Sequence, residues 1–322
     1  LIGAALFYGD AMITPALSVL SAVEGLKIAA PMLDPFVVPI ALVILIALFA
    51  VQSRGTAKVS NYFGPVTLIW FLALAAGGVL HIADDPGVLA SFSPHYGVAF
   101  VLNNGWIALF TIGAVVLVVT GAESLYADLG HFGRPPVQDA WFWIVLPSLL
   151  LNYLGQGALV LSNPQSISNP FYLLYPEWAL LPMVILATCA TVVASQAVIT
   201  GAYSLAQQAV QLGLLPRFEV RHTSATHYGQ IYMARINWFL LAGVVLLVGI
   251  FHTSSALATA YGIAVTGTML MTTLMAFVVI RRVWKWHWLA VLALLVPIAM
   301  IDAVFLGTNL FKFYDGGWAP IS

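Results

Sequence analysis

Charge is what this sequence has least of. Only 7% of its 322 residues are Asp, Glu, Lys or Arg, against about 25% in an ordinary soluble domain. That shortage excludes a soluble fold and leaves a helical protein that crosses a membrane many times. The apolar runs are long and unbroken, which excludes a β-barrel, whose strands alternate polar and apolar residues. Cysteine is nearly absent. Cys189 stands alone, so neither a disulfide framework within one chain nor a cysteine zinc site is available. No basic run is present and the net charge is −1, so nothing points to a nucleic-acid partner. Enzyme signatures are missing too: no H-E-x-x-H, G-x-S-x-G, G-x-G-x-x-G or G-x-x-x-x-G-K-[ST] occurs. A transporter with its own ATPase is therefore unsupported. The acids Asp10 and Asp302 lack the local context of an intramembrane aspartyl protease. No cofactor is expected.

What is present is apolar helix. The pattern predicts nine spans near 2–26, 36–52, 61–81, 104–127, 138–160, 178–212, 233–252, 255–280 and 287–309. The sixth, at about 35 residues or roughly 52 Å, exceeds a ~30 Å hydrocarbon core. It is expected to tilt, to break near Gly201, or to run on into the cytoplasm. Of the 11 Lys and Arg, nine fall in alternate connections: Arg54, Lys58, Arg134, Arg217, Arg221, Arg235, Arg281, Arg282 and Lys285. Only Lys27 and Lys312 fall elsewhere. Those four connections are assigned to the cytoplasm, and Asp34, Asp84, Asp85 and Glu177 to the outside. Trp284, Trp286 and Trp288 are read as interface anchors against membrane lipid. The whole of 1–322 is expected to be one transmembrane domain. Leu1 already lies in an apolar run with no start Met before it, so the chain is expected to be a fragment.

The polar groups inside the spans carry the chemistry. In the first span, Asp10, Thr14 and Ser18 recur at the i, i+4 spacing of one helix face. A carboxylate at such depth costs at least ~2.5 kcal/mol and is usually kept for a function. Pro15 lacks an N–H, so the Ala11 carbonyl loses its usual helix partner. Oxygens gathered without a positive side chain suit a hard cation. The same small residues and hydroxyls would also suit helix packing. In the fourth span, Thr120 and Glu123 stand at i, i+3 around Gly121. A weakened helix there would expose backbone carbonyls of the kind that hold coupling ions in transporters. The competing reading places Glu123 at the inner interface beside Asp128. Tyr261 adds an oxygen beside Gly262, which reads as a flexible point. Glu24 is expected to form a surface pair with Lys27. Asp302 is expected to pair with a polar group in a neighbouring span or to line the route.

Several runs together resemble one family. They are Gly9-Asp10 through Thr14-Pro15-Ala16, Ser18 to Gly25, Gly121-Ala122-Glu123, Tyr126 to Gly133, Asn163-Pro164 to Asn169-Pro170-Phe171-Tyr172, and Ala260-Tyr261-Gly262-Ile263-Ala264-Val265. In order and type they resemble the Kup/HAK/KT potassium uptake permeases of the amino acid–polyamine–cation superfamily. The resemblance implies an all-α, LeuT-like fold of two inverted repeats in the cell inner membrane. It implies potassium uptake with protons as the coupled ion, often by a homodimer. It places the potassium oxygens on Asp10, Thr14, Ser18, Thr120, Glu123 and Tyr261. Glu123 is the candidate for proton coupling. It also implies that the family's first two helices and its C-terminal cytoplasmic region lie outside this chain. A permease of the same fold for an organic solute is the competing reading. The lack of a basic partner for a substrate carboxylate argues against it.

Overall fold

The computed structural model describes residues 2–54, 57–120, 133–216, 218–222 and 231–311. Glu123, Arg217 and Lys312 lie outside them. Among the described residues, nine helices are long and apolar enough to cross a membrane. They are α1 (Ile2–Glu24), α2 (Val37–Val51), α3 (Ala57–Ile82), α4 (Pro94–Val119), α5 (Arg134–Ser162), α6 (Glu177–Gln211), α7 (Ala234–Phe251), α8 (Ser254–Arg282) and α9 (Trp288–Leu310). Eight of the expected spans match within a few residues. The fourth does not: α4 begins ten residues early, at Pro94, and is two helical pieces joined at Gly105 (φ 46°, ψ −114°). The fourth span is expected to start near residue 104. Glycine instead lets the chain turn there and continue. The sixth helix neither breaks nor bends out of helix at Gly201; its 35 residues are continuous.

Helix α1 is the hub. It packs against α2, α6, α7 and α8 and is helical straight through Pro15. In lipid there is little hydrophobic drive between helices, so close packing on small residues takes over. Phe7 lies against Gly201 of α6, Met12 against Gly243 of α7 and Leu6 against Gly267 of α8. Tyr8 Oη donates to the Ala202 carbonyl at 3.1 Å. Ala11, Ile13, Ala16, Val19 and Leu20 are buried within this bundle. The outward faces keep their apolar side chains exposed, including Val43, Leu72, Trp106, Ile185 and Leu246. That is the arrangement expected where lipid is the solvent.

Hydrogen bonds near the helix ends mark the two ends of the bundle. At one end His81 Nε2 donates to the Leu174 carbonyl at 3.0 Å, and Tyr172 Oη donates to the Ala22 carbonyl at 2.8 Å. At the other, Asn237 Nδ2 donates to the Phe49 carbonyl at 3.1 Å, and Asn237 Oδ1 accepts from Tyr203 Oη at 2.6 Å. The first end gathers the acidic connections and the second the basic ones, as the charge pattern requires. At the acidic end the chain runs as short 3₁₀ turns, Pro31–Phe36, Pro86–Phe92 and Pro164–Ser168, each opened by proline at its first position. Burial pushes the Tyr175 hydroxyl up to about 12. It stays neutral and donates to the Ala73 carbonyl at 3.2 Å.

The fold is not purely helical. Arg221–His222 and Ile231–Tyr232 form a two-stranded antiparallel ladder in the basic connection before α7. Ile231 and Tyr232 are buried there, and Tyr232 meets the Tyr203 ring edge-on at 6.0 Å. Trp284, Trp286 and Trp288 are exposed in the turn between α8 and α9, where interface anchors belong.

Candidate cation site

The i, i+4 spacing on α1 becomes a contact. Thr14 Oγ1 donates to Asp10 Oδ1 at 2.8 Å, and Asp10 is only 6% exposed. Ser18 stands one turn further on, half-buried. A second pair forms between helices. Tyr261 Oη on α8 donates to Thr120 Oγ1 at 3.3 Å, across 141 positions of sequence. Thr120 is extended (φ −84°, ψ 172°) and ends α4. The sequence places a weakened helix at Gly121. The chain leaves the helix immediately before Gly121. Glu123 itself lies outside the described residues.

Two other expectations change, and a third resolves between its alternatives. Glu24 does not pair with Lys27. Its Oε1 accepts from the Ser254 backbone N–H at 3.0 Å and its Oε2 from the Ser254 hydroxyl, so it caps α8. Lys27 meets Asp34 at 3.5 Å instead, both well exposed. A carboxylate at a helix N-terminus satisfies orphan N–H groups and the helix dipole. Two separate donors outcompete an exposed ion pair worth under ~1 kcal/mol. Gly262 is not a flexible point either. It is buried in continuous helix, and Asn309 Oδ1 of α9 occupies the place where a Cβ would sit, 2.2 Å away. Asp302 follows one of its two expected courses. It is 3% exposed and accepts from Thr273 Oγ1 of α8 at 2.6 Å.

Sequence reasoning missed Thr273, Ser254 and Asn309. Asn309 had a signal, since a buried amide in an apolar helix needs a partner. Its Nδ2 donates to the Phe305 carbonyl at 2.9 Å. Thr273 and Ser254 had none, because hydroxyls are common throughout α8.

A bundle of membrane-spanning helices with a buried carboxylate paired to a hydroxyl on α1, and a second hydroxyl pair between α4 and α8, defines a polytopic membrane protein with polar groups inside its spans. The chain belongs to the family described as the K+ potassium transporter integral membrane domain, which it matches over residues 1–322. It is 62% identical over 320 residues to "Probable potassium transport system protein Kup 2" of Rhodopseudomonas palustris (strain BisA53), covering 99% of this chain and 51% of that protein. It is 60% identical over 319 residues to "Probable potassium transport system protein Kup 1" of Sinorhizobium medicae (strain WSM419), covering 99% and 51%. It is 61% identical over 320 residues to "Probable potassium transport system protein Kup" of Nitrobacter winogradskyi, covering 99% and 49%. The chain spans about half the length of these relatives. It is a multi-pass integral membrane protein of a transporter family.

Proposed function

We propose that this chain is the membrane part of a potassium uptake permease of the inner membrane, one that moves potassium inward with protons. The observation that carries the reading is the pair of oxygen clusters, Asp10 with Thr14 on α1 and Thr120 with Tyr261 between α4 and α8. A buried carboxylate supplies full negative charge where the effective dielectric is low. Neutral hydroxyls complete a shell of hard donors. Asp10, Thr14, Ser18, Thr120, Glu123 and Tyr261 are the proposed potassium ligands. An architecture of LeuT-like inverted repeats fits them, because a helix that ends at Thr120 leaves its last carbonyls without helical partners. Asp302 is a proposed lining residue of the route. Two copies are proposed to associate as a homodimer in the lipid bilayer.

Glu123 is the proposed coupling acid. Burial raises a carboxylate's pKa and a nearby cation lowers it. One group can then exchange its proton against ion occupancy. The test uses full-length protein in proteoliposomes, with potassium flux and a pH-sensitive dye recorded together. Wild type is expected to take up potassium with protons. Glu123→Gln is expected to lose potassium-driven proton entry. A wild-type proton-to-potassium ratio in Glu123→Gln would rule out this residue as the coupling acid. No potassium flux in wild type would overturn the function itself.

A further inference from the structure

Glu24 stands 14 positions after Asp10 on α1, and Ser254 stands 7 positions before Tyr261 on α8. The two helices run antiparallel and touch at both extremes of their shared length. At the outer end the Glu24 carboxylate takes both donors of Ser254. At the inner end the contacts are Leu6 on Gly267 and Gly3 on Met271. Asp10, Thr14 and Ser18 lie between these pins on one helix, and Tyr261 lies between them on the other. The inner pin is van der Waals contact between apolar groups, which slides at little cost. The outer pin is directional, because it is made of charge-assisted hydrogen bonds. It also occupies the first turn of α8, so a shift of the carboxylate carries the whole helix axis with it.

The end of α1 has no slack on the other side. The Tyr172 hydroxyl holds the Ala22 carbonyl, and its ring fills the place of a Cβ at Gly25, with Tyr172 Cζ 2.3 Å away. Glu24 therefore sits on a braced helix end and transmits that position to α8.

We propose that Glu24 is a positioning residue for the cation site. It fixes the register in which the α1 oxygens and Tyr261 of α8 stand around a potassium ion. The proposal rests on the potassium reading above. Among the described residues the Glu24 carboxylate bonds Ser254, not a proposed ligand, so its loss should weaken affinity without removing the site.

Rubidium uptake by the full-length protein in proteoliposomes tests it, with rates normalised to transporter in the membrane. Glu24→Ala should raise the KM for rubidium about tenfold, the loss expected when a charged hydrogen-bonded partner is removed. Turnover should stay roughly at the wild-type level. Glu24→Gln keeps one acceptor and should show a smaller rise, which decides the matter if Glu24→Ala does not reach the membrane. A purely structural role would lower the amount of protein and leave KM alone. Adding Glu24→Gln to Tyr261→Phe should raise KM by less than the product of the two single effects, because both act through one register. An unchanged KM in the Glu24 variants, or effects that multiply, would overturn the proposal. Wild-type protein that takes up no rubidium would instead sink the potassium reading beneath it.

Discussion

Asn309 and Gly262 show how single residues seat one helix on another. The Asn309 amide is held by its own helix and lays its oxygen on the Gly262 backbone, one position from Tyr261. Gly262→Ala would drive a methyl into that oxygen. We expect a loss of about 1–3 kcal/mol, the usual cost of overpacking a tight interior, read as a lower thermal midpoint of the purified full-length protein. An unchanged midpoint would mean that α8 and α9 are not seated on each other there. The Asp10–Thr14 pair was legible beforehand because both residues lie on one helix at a fixed spacing. The Glu24–Ser254 pair was not, because its partners are 230 positions apart. Lys27, three residues away, offered a local partner that the geometry declines.

At the scale of elements, the α3–α5 crossing is the tightest contact to test. A Cβ on Gly78 would lie 2.1 Å from the Leu151 carbonyl oxygen, and one on Gly155 would lie 2.5 Å from the Gly78 Cα. Backbone meets backbone here, so no side chain can swing aside. Gly78→Ala should separate the two helices and cost about 3 kcal/mol or more. Surface expression and thermal midpoint together read the effect, and a wild-type midpoint would contradict the crossing. Helix existence was legible from apolar length alone. Interruptions were not. Gly201 looked like a break in α6 and is a seat for Phe7, whereas Gly105 bends α4 inside a span that was expected to start near it. A glycine marks either a turn or a close approach, and only the neighbouring helix decides which.

The whole molecule is sided. Basic connections gather at one end and acidic ones at the other, and hydrogen bonds near the helix ends brace each end. That order could be read from the positions of Lys and Arg, since it reflects the membrane rather than the packing. The packing of α8 against both α1 and α4 could not, because it depends on contacts far apart in sequence. The central claim is that this bundle holds potassium on oxygens organised by the buried Asp10. The most direct measurement is rubidium uptake by full-length Asp10→Asn, compared with wild type at equal amounts in the membrane. Asn keeps the size and one oxygen but removes the charge, so uptake should fall by about tenfold or more. Uptake by Asp10→Asn at the wild-type rate and affinity would contradict the account.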